Sequence, residues 1–169
     1  MSFKQKYAFQ WPLSAQKEAF VKVLLESWGF RAKAVGVGTL SDKYTDESQS
    51  LPDFAIYHNN TLIAYVEVTG GNINLKNIIS DGLWIGLHKY RKYVEFWRRR
   101  PVYFIYLGFR KNRLSIARYC SIETVDKYSN CVKILTIRGK AERYIIIPYD
   151  EFKPLHELYQ ELKYYSQVM

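Results

Sequence analysis

The amino-acid sequence predicts an α/β domain in which helices flank a mixed central β-sheet. Apolar residues recur at helical spacing near both ends of the chain, which is typical of amphipathic helices. Between them lie short apolar, β-branched segments, which are typical of strands. Their order is helix, three strands, helix, strand, and then further strands and a closing helix, which is an α/β pattern. We expect one domain over residues 1–169, with a core at about 14–107 and further strands and a helix over 108–169.

The first predicted helix begins near Ser14, whose hydroxyl can cap the free backbone amides, and ends at Gly29. A strand is expected over 31–37, followed by a polar segment over 36–50. That segment is either a loop that contacts substrate or an ordinary surface loop, and the sequence does not separate the two. The buried stripe of the helix is expected to consist of Ala19, Phe20, Val23, Leu24 and Trp28.

Two carboxylates, Asp53 and Glu67, mark the two ends of a predicted β-hairpin. The strands are apolar and β-branched, and Asn59-Asn60 between them is turn chemistry. The start of the first strand lies beside the end of the second, so the two carboxylates are expected to meet at one edge of the sheet. Glu67 lies within an apolar run, where a carboxylate needs a cation or hydrogen bonds. The pair predicts a site for a hard divalent cation such as Mg²⁺, and the plainer alternative is a Pro-Asp turn with a solvated glutamate.

The second half of the chain alternates between strand-like and helix-like segments. The glycines at 70–71 are expected to end the hairpin, and residues 73–88 fit either a short strand at 83–85 or part of a helix. The next helix is expected over 89–99, and the apolar run 102–107 predicts a buried central strand. Further strands are expected over 114–122, 132–137 and 143–147, and a final helix over 151–165.

The formal net charge of +9 indicates a polyanionic partner, most often nucleic acid. An anionic membrane surface or simple solubility are the alternatives that composition leaves open. The densest positive segments flank the strand at 102–107, and its two ends cannot lie at one edge of the sheet. Only one segment is therefore expected to line a substrate groove, and the first could merely complement a helix dipole. The candidate residues for binding nucleic acid are Arg98, Arg99, Arg100, Arg110, Lys111 and Arg113.

The chain resembles a family of nucleases in its first helix and in the hairpin. The helix is similar to that of archaeal Holliday-junction resolvases at residues 15–18 (Ala-Gln-Lys-Glu), 24–26 (Leu-Leu-Glu) and 29–30 (Gly-Phe). Pro-Asp at 52–53 with Glu-Val-Thr at 67–69 resembles the hairpin of the PD-(D/E)xK nuclease superfamily, to which those resolvases belong. The Glu-Val-Thr form is also similar to a variant found in proteins of archaea and their viruses.

This resemblance implies a restriction-endonuclease-like core and hydrolysis of phosphodiester bonds that depends on Mg²⁺, with Mn²⁺ able to substitute. Position by position, Glu18 matches the helix carboxylate, Asp53 the main metal ligand and Glu67 the second ligand. Val68 matches the variable position, whose backbone carbonyl also faces the metal. Carboxylates held this close repel one another, so their pKa values are expected to rise without metal.

The pattern of the superfamily breaks at Thr69, where those nucleases place a lysine. That ammonium is expected to orient the attacking water and to offset charge in the transition state, which a threonine cannot do. Either the lysine has moved to another element, or the site no longer cleaves and the fold serves for binding. Lys89, which opens the helix after the hairpin, is the first candidate to replace it, and Lys76 is the second.

The sequence therefore predicts a metal-dependent DNA endonuclease, with a junction-resolvase-like homodimer as its structure-specific form. The alternative is a catalytically inactive nuclease-fold protein that binds nucleic acid. A third hypothesis, a protein-interaction or virion component, rests on the fifteen tyrosines. DNA is the expected partner, and the sequence does not separate it from RNA.

No membrane contact is expected, because no apolar stretch is long enough to span a bilayer and no signal core follows the first residues. We therefore expect a cytoplasmic protein, or one in the host cytoplasm if its source is a virus. Cys120 and Cys131 match no metal-ligand spacing and are expected to be buried thiols rather than a disulfide.

Overall fold

The structure is a computed structural model of the chain. Most of the predicted polar segment at 36–50 lies outside the residues it describes, and so does Lys76. The described residues are 11–36, 51–73, 81–137 and 139–169.

Four helices and nine strands lie in the described ranges. In chain order they are α1 (Trp11–Ser27), β1 (Arg31–Ala34), β2 (Phe54–His58), β3 (Thr61–Asn72), β4 (Leu83–Gly86), α2 (Leu87–Trp97), β5 (Val102–Arg110), β6 (Arg113–Ser121), α3 (Ile122–Lys127), β7 (Val132–Ile137), β8 (Lys140–Ile147), β9 (Lys153–Pro154) and α4 (His156–Val168).

A mixed six-stranded sheet, in the order β1-β2-β3-β5-β6-β9, forms the centre of the fold. Strands β3 and β5 pair in parallel, and the other neighbouring pairs of this sheet are antiparallel. Because parallel strands need a crossover connection, the chain leaves the sheet after β3 and returns to it through β4 and α2. This crossover carries α2 over the face of the sheet next to the hairpin.

Apolar cores lie on both faces of the six-stranded sheet. On one face α1 and α4 contribute Val21, Leu25, Leu158 and Leu162 to the first core. On the other face, α2, α3 and a three-stranded sheet in the order β4-β8-β7 build the second core around Phe104. The sheet is therefore buried on both sides, which agrees with the continuous apolar runs of β3 and β5.

The hairpin of β2 and β3 has the predicted turn. Asn59 and Asn60 adopt φ values of 48° and 63°, the left-handed conformations that a type I′ turn requires. Phe54 lies opposite Val66 in the resulting register. The prediction of a hairpin with its two carboxylates at one end is confirmed.

The glycines at 70–71 do not end the hairpin strand, contrary to expectation. Pairing with β5 continues past them, and Gly70 lies opposite Leu107. Gly70 adopts a φ of +110°, and a Cβ at this position would lie 2.0 Å from the carbonyl oxygen of Leu107. Glycine therefore serves here to bring two backbones together inside the sheet rather than to break the strand.

Residues 83–85 form a strand, which is the first of the two alternatives predicted for this segment. Leu83 and Ile85 are buried while Trp84 is 37% exposed, which is the alternation of a half-buried strand. Strand β4 pairs with β8 rather than with the central sheet. Helix α2 begins directly after it, two residues earlier than expected.

The buried face of α1 is not the predicted stripe. Val21 and Leu25 are buried together with Glu18, whereas Phe20 and Val23 are 40% and 67% exposed. Two overlapping stripes satisfy helical spacing in this segment, and the sheet contacts the one that carries the carboxylate. Ala19 is also exposed, and Leu24 and Trp28 are partly buried.

The predictions for residues 108–169 were wrong in three respects. The final helix begins at His156 rather than at residue 151, because a 3-10 turn and the short strand β9 precede it. Strand β6 ends at Ser121, whose side chain caps the unpredicted helix α3 by accepting from the Thr124 amide at 3.4 Å. Cys120 is a buried thiol as expected, but Cys131 is exposed.

No helix among the described residues is long and apolar enough to cross a membrane.

Candidate active site

Strand alternation directs Glu67 away from the first core. Its neighbours Val66 and Val68 pack towards α1 and α4, so the Glu67 side chain lies on the opposite face, which α2 covers. Phe104 of β5 lies beside it in the register. Only 3% of Glu67 is exposed, so its carboxylate needs partners inside the protein.

Three donors surround the Glu67 carboxylate. The Lys89 Nζ atom lies 2.7 Å from Oε1, and the backbone N–H of Asp53 donates to Oε2 at 3.1 Å. The hydroxyl of Tyr93 donates a third hydrogen bond. Lys89 and Tyr93 are four residues apart on α2 and so lie on one face of that helix. Burial and the nearby Glu67 and Asp53 carboxylates raise the pKa of Tyr93, which keeps its hydroxyl protonated as a donor.

Asp53 lies just before β2 and makes two hydrogen bonds with β3, one as a donor and one as an acceptor. While its amide donates to Glu67, its own Oδ2 accepts from the backbone N–H of Val68 at 2.8 Å. Burial of the carboxyl and the adjacent Glu67 raise the pKa of Asp53 well above its usual range, against the opposing effect of Lys89. This is the direction expected for carboxylates held together without a cation.

Helix α1 adds one carboxylate and one ammonium to the same cluster. Glu18 is 7% exposed, and its charge acts on Asp53, Lys89 and Lys17. Lys17 donates from Nζ to the carbonyl oxygen of Gly70 at 2.8 Å. Burial and the nearby Lys89 ammonium lower the pKa of Lys17, and the carboxylates oppose this shift.

The cluster thus combines three carboxylates with two ammonium groups. Burial lowers the pKa of Lys89, but Glu67 and Asp53 outweigh it, so the net shift of that pKa is upward. Lys89 is therefore an ammonium, and its positive charge balances the negative charge of Glu67. Within the described ranges, no three His, Cys, Asp or Glu side chains converge closely enough to hold a metal ion as they stand.

The structure brings Lys89 to the carboxylates, where it was predicted to stand in for the lysine missing at Thr69. Thr69 itself is partly buried on β3 beyond Glu67. Lys76, the second candidate, lies outside the described residues.

The two predicted basic segments lie at opposite ends of the central sheet. Arg100 donates from Nε to the carbonyl oxygen of Leu62 at 2.8 Å, at the start of β3. Arg110 pairs with Arg113 across the turn that joins β5 to β6, beyond the C-terminal end of β3. Because the carboxylate cluster lies in the C-terminal half of β3, the segment at 98–100 is at the end of the sheet away from it. Arg98, Arg99, Lys111 and the Arg110–Arg113 pair are all exposed.

Reasoning from the sequence missed Lys17 and Tyr93. Each had a local signal, because Lys17 precedes the predicted carboxylate Glu18 and Tyr93 lies one helical turn after Lys89. Their contacts depend on how α1 and α2 dock on the sheet.

The chain was compared with known proteins. No protein-family model matches the sequence, and no curated protein matches it. Among solved structures, a nuclease from a fusselovirus superposes with a TM-score of 0.56 at 17% sequence identity, covering 92% of each chain. Hjc, a Holliday junction resolvase from the archaeal hyperthermophile Archaeoglobus fulgidus, matches with a TM-score of 0.49 at 15% identity, covering 86% of this chain and 98% of that one.

The similarity to the viral nuclease shows that the two chains share a fold. The predicted α/β fold, with a mixed central sheet flanked by helices in the restriction-endonuclease-like arrangement, is thereby confirmed. The resemblance to nucleases that the helix and hairpin motifs indicated agrees with this shared fold.

Proposed function

We propose that this chain, which has the fold of a viral nuclease, is a metal-dependent endonuclease that hydrolyses phosphodiester bonds in DNA. The observation that carries the proposal is the cluster at the end of the hairpin. There the Lys89 ammonium lies 2.7 Å from the Glu67 carboxylate, which is hydrogen-bonded to the backbone of Asp53. A lysine beside two carboxylates is the combination that phosphodiester hydrolysis needs, since it pairs cation ligands with a positive group.

The chemistry of the donor set suits a hard divalent cation. Asp53, Glu67 and Glu18 offer carboxylate oxygens, the chemistry that Mg²⁺ and Mn²⁺ prefer, and the Val68 carbonyl is the remaining ligand in the proposal. The upward shift in the pKa of Asp53 indicates that negative charge there is incompletely balanced by protein groups. When bound, such a cation polarises a phosphoryl oxygen and acidifies a water molecule.

The protein's own groups position these ligands and balance their charge. The Val68 amide fixes one oxygen of Asp53, and the Tyr93 hydroxyl fixes the Glu67 carboxylate. Lys89 and Lys17 bring two ammonium groups to a site that a phosphate must approach. In the proposal, Lys89 orients the attacking water and offsets the charge of the transition state, and Lys17 lowers the repulsion between carboxylates and phosphate.

A second function, binding of nucleic acid without cleavage, is favoured by one feature of the cluster. The Lys89 ammonium is already paired with Oε1 of Glu67, an oxygen that a metal cation would need as a ligand. A site whose carboxylate is neutralised by lysine could keep the fold and lose the metal. This candidate predicts tight binding of nucleic acid and no product that depends on Mg²⁺.

The finer assignments extend the same proposal. A junction-resolvase-like enzyme would act as a homodimer, with two sites placed across a four-way junction. Light scattering coupled to size-exclusion chromatography tests this, and a particle of 20.0 kDa would contradict the dimer.

The experiment that tests the function is a cleavage assay on labelled duplex, single-stranded and four-way-junction DNA and on RNA, with Mg²⁺, Mn²⁺ or EDTA. We expect cleavage of DNA with either metal and none with EDTA. Asp53→Asn and Lys89→Ala should each reduce the rate by about 10²-fold or more. The exposed residues Asp150 and Lys127 provide matched controls, and Asp150→Asn and Lys127→Ala should cleave at the wild-type rate. Binding without cleavage of any substrate would support the second function instead.

A further inference from the structure

A second cationic surface lies beside the candidate active site and takes no part in the proposed chemistry. It is a groove of about 410 Å³ between the first turns of α2 and strand β8. We call it the α2–β8 groove. Its lining consists of Leu87, His88 and Arg91 from α2 and of Lys140, Glu142 and Arg143 from β8.

Positive charge in this groove exceeds negative charge. Arg91, Lys140 and Arg143 are exposed cations, and Glu142 is the carboxylate among the lining residues. Glu142 is already engaged, since it accepts from the Tyr144 hydroxyl at 2.7 Å and lies 3.8 Å from the Lys140 ammonium. Across the described part of the chain, neither Arg91 nor Arg143 belongs to an ion pair. Two guanidinium groups therefore remain available to an anionic ligand.

The groove and the carboxylate cluster lie on two sides of the same helical turn. His88 and Arg91 are three residues apart on α2 and line the groove, while Lys89 and Tyr93 contact Glu67. The β8 side is linked to the cluster as well. Tyr144 donates to Glu142 of the groove, and the Lys89 charge acts on the same hydroxyl. A polyanion seated in the groove would therefore reach Lys89 without crossing the central sheet.

We propose that the α2–β8 groove binds the sugar–phosphate backbone of the nucleic-acid strand whose scissile phosphate enters the active site; this rests on the proposed function. A guanidinium presents paired N–H donors that match phosphate oxygens. Helix α2 has no acidic residue in its first turn, so nothing there repels a phosphate. The nucleic-acid strand thus passes over α2 and β8, rather than over the basic segment at 98–100.

An aromatic surface next to the groove suits the bases of a nucleic-acid strand. The Trp84 ring lies 6.2 Å from that of Tyr144, and Trp84 is 37% exposed. Nucleic-acid strands use cationic and aromatic surfaces together, because phosphates bind the cations while bases stack on the rings.

The test measures binding in EDTA, so that cleavage plays no part in it. Fluorescence anisotropy with labelled single-stranded and duplex DNA gives Kd at several salt concentrations for three double variants. Arg91→Ala with Arg143→Ala removes the two guanidinium charges of the groove, and Arg91→Lys with Arg143→Lys keeps a positive charge at both positions. Arg98→Ala with Arg99→Ala removes two exposed arginines at the far end of the sheet and is the matched control.

We expect the groove alanine variant to bind about tenfold or more weakly and to lose about two from the slope of log K against log salt. The lysine variant should retain most of the affinity, and the control should lose much less affinity than the groove alanine variant does. Unchanged affinity of the groove variant would overturn the proposal while leaving the nuclease function untouched, because cleavage is assayed separately. A wild-type protein that binds anionic vesicles but no nucleic acid would overturn both.

Discussion

A carboxylate as deeply buried as that of Glu67 is costly unless every oxygen finds a donor. Here the Lys89 ammonium and the Tyr93 hydroxyl of α2 and the amide of Asp53 supply three donors, so two parts of the chain serve this carboxylate. The Asp53 carboxyl accepts from the Val68 amide, yet burial and the nearby Glu67 still raise its pKa. The cluster therefore concentrates its electrostatic strain on Asp53.

Replacing Asp53 with asparagine should stabilise the metal-free protein. The pKa of Asp53 is raised in the folded state, so its contribution to stability is present below the unfolded pKa of about 4 and is lost as the pH rises through the folded value. At neutral pH in EDTA we expect Asp53→Asn to raise Tm by about 2–4 °C, with the difference from wild type shrinking towards pH 4. Thermal unfolding followed by circular dichroism measures this.

The same pair of proteins reports on the cation. Millimolar Mg²⁺ should raise the Tm of the wild type and leave that of Asp53→Asn unchanged, because the variant lacks the main proposed ligand. Asp150→Asn, which removes an exposed carboxylate, is the control in both measurements. A wild-type Tm indifferent to Mg²⁺ and Mn²⁺ would contradict the metal site.

Lys17 should matter for cleavage although the sequence did not single it out. Its ammonium lies in the cluster and offsets carboxylate charge as a phosphate approaches. We expect Lys17→Met to lower the rate at saturating DNA by about tenfold or more, and Lys17→Arg to keep part of the activity. Lys22, on the same helix and paired with Glu26 at the surface, provides the control Lys22→Met. Equal rates for Lys17→Met and Lys22→Met would remove Lys17 from the site.

At the scale of elements, the hairpin and the helices α1 and α2 are the three units that build the site. The hairpin was predictable because Asn59-Asn60 fixes its turn and the alternation around Glu67 fixes its register. Lys89 was predictable because it opens the next helix. The docking of α1 was not, since two apolar stripes compete on that helix and only packing selects one.

The three-stranded sheet could not be assigned from the sequence for a related reason. Strands β7 and β8 were predicted and β4 was one of two alternatives for its segment, but nothing local tells which sheet a strand joins. The long-range pairing of β4 with β8 decides it, and this also creates the α2–β8 groove. Short apolar strands carry too little information to specify a partner far along the chain.

Gly70 is an element-scale feature with a direct test. Alanine at this position would place its Cβ on the Leu107 carbonyl and force a non-glycine residue to φ +110°. We expect Gly70→Ala to lower the free energy of unfolding by about 2–4 kcal/mol. Gly71→Ala is the matched control, because no atom lies within 4 Å of a Cβ there. Urea unfolding measures both, and equal stability of the two variants would refute the close approach of the strands.

At the scale of the whole molecule, the net charge of +9 sets how the protein meets a polyanion. Exposed arginines at both ends of the central sheet and along α2 give a broad positive field around the cluster. If the proposed function holds, this field attracts nucleic acid of any sequence, and discrimination between substrates has to come from shape and from the site.

Nucleic-acid affinity should therefore depend strongly on salt. If six to ten phosphates are neutralised, the affinity should fall by about 10³–10⁵-fold between 50 and 200 mM salt. Anisotropy titrations of duplex DNA in EDTA across that range give the slope. A flat dependence would mean that phosphate contacts contribute little, contrary to both the groove and the overall charge.

The contacts of the cluster form over very different distances along the chain, and this has a kinetic consequence. The Asp53–Glu67 contact spans 14 residues within one hairpin, whereas the Lys17–Gly70 contact spans 53. Local contacts form early in folding, and parallel strand pairing with its crossover forms late. Asp53 and Glu67 would thus come together first, and helix α1 would bring Lys17 and Glu18 to them only as the fold closes. A half-folded copy would repel nucleic acid at its unfinished site, so cleavage would begin only with the completed molecule.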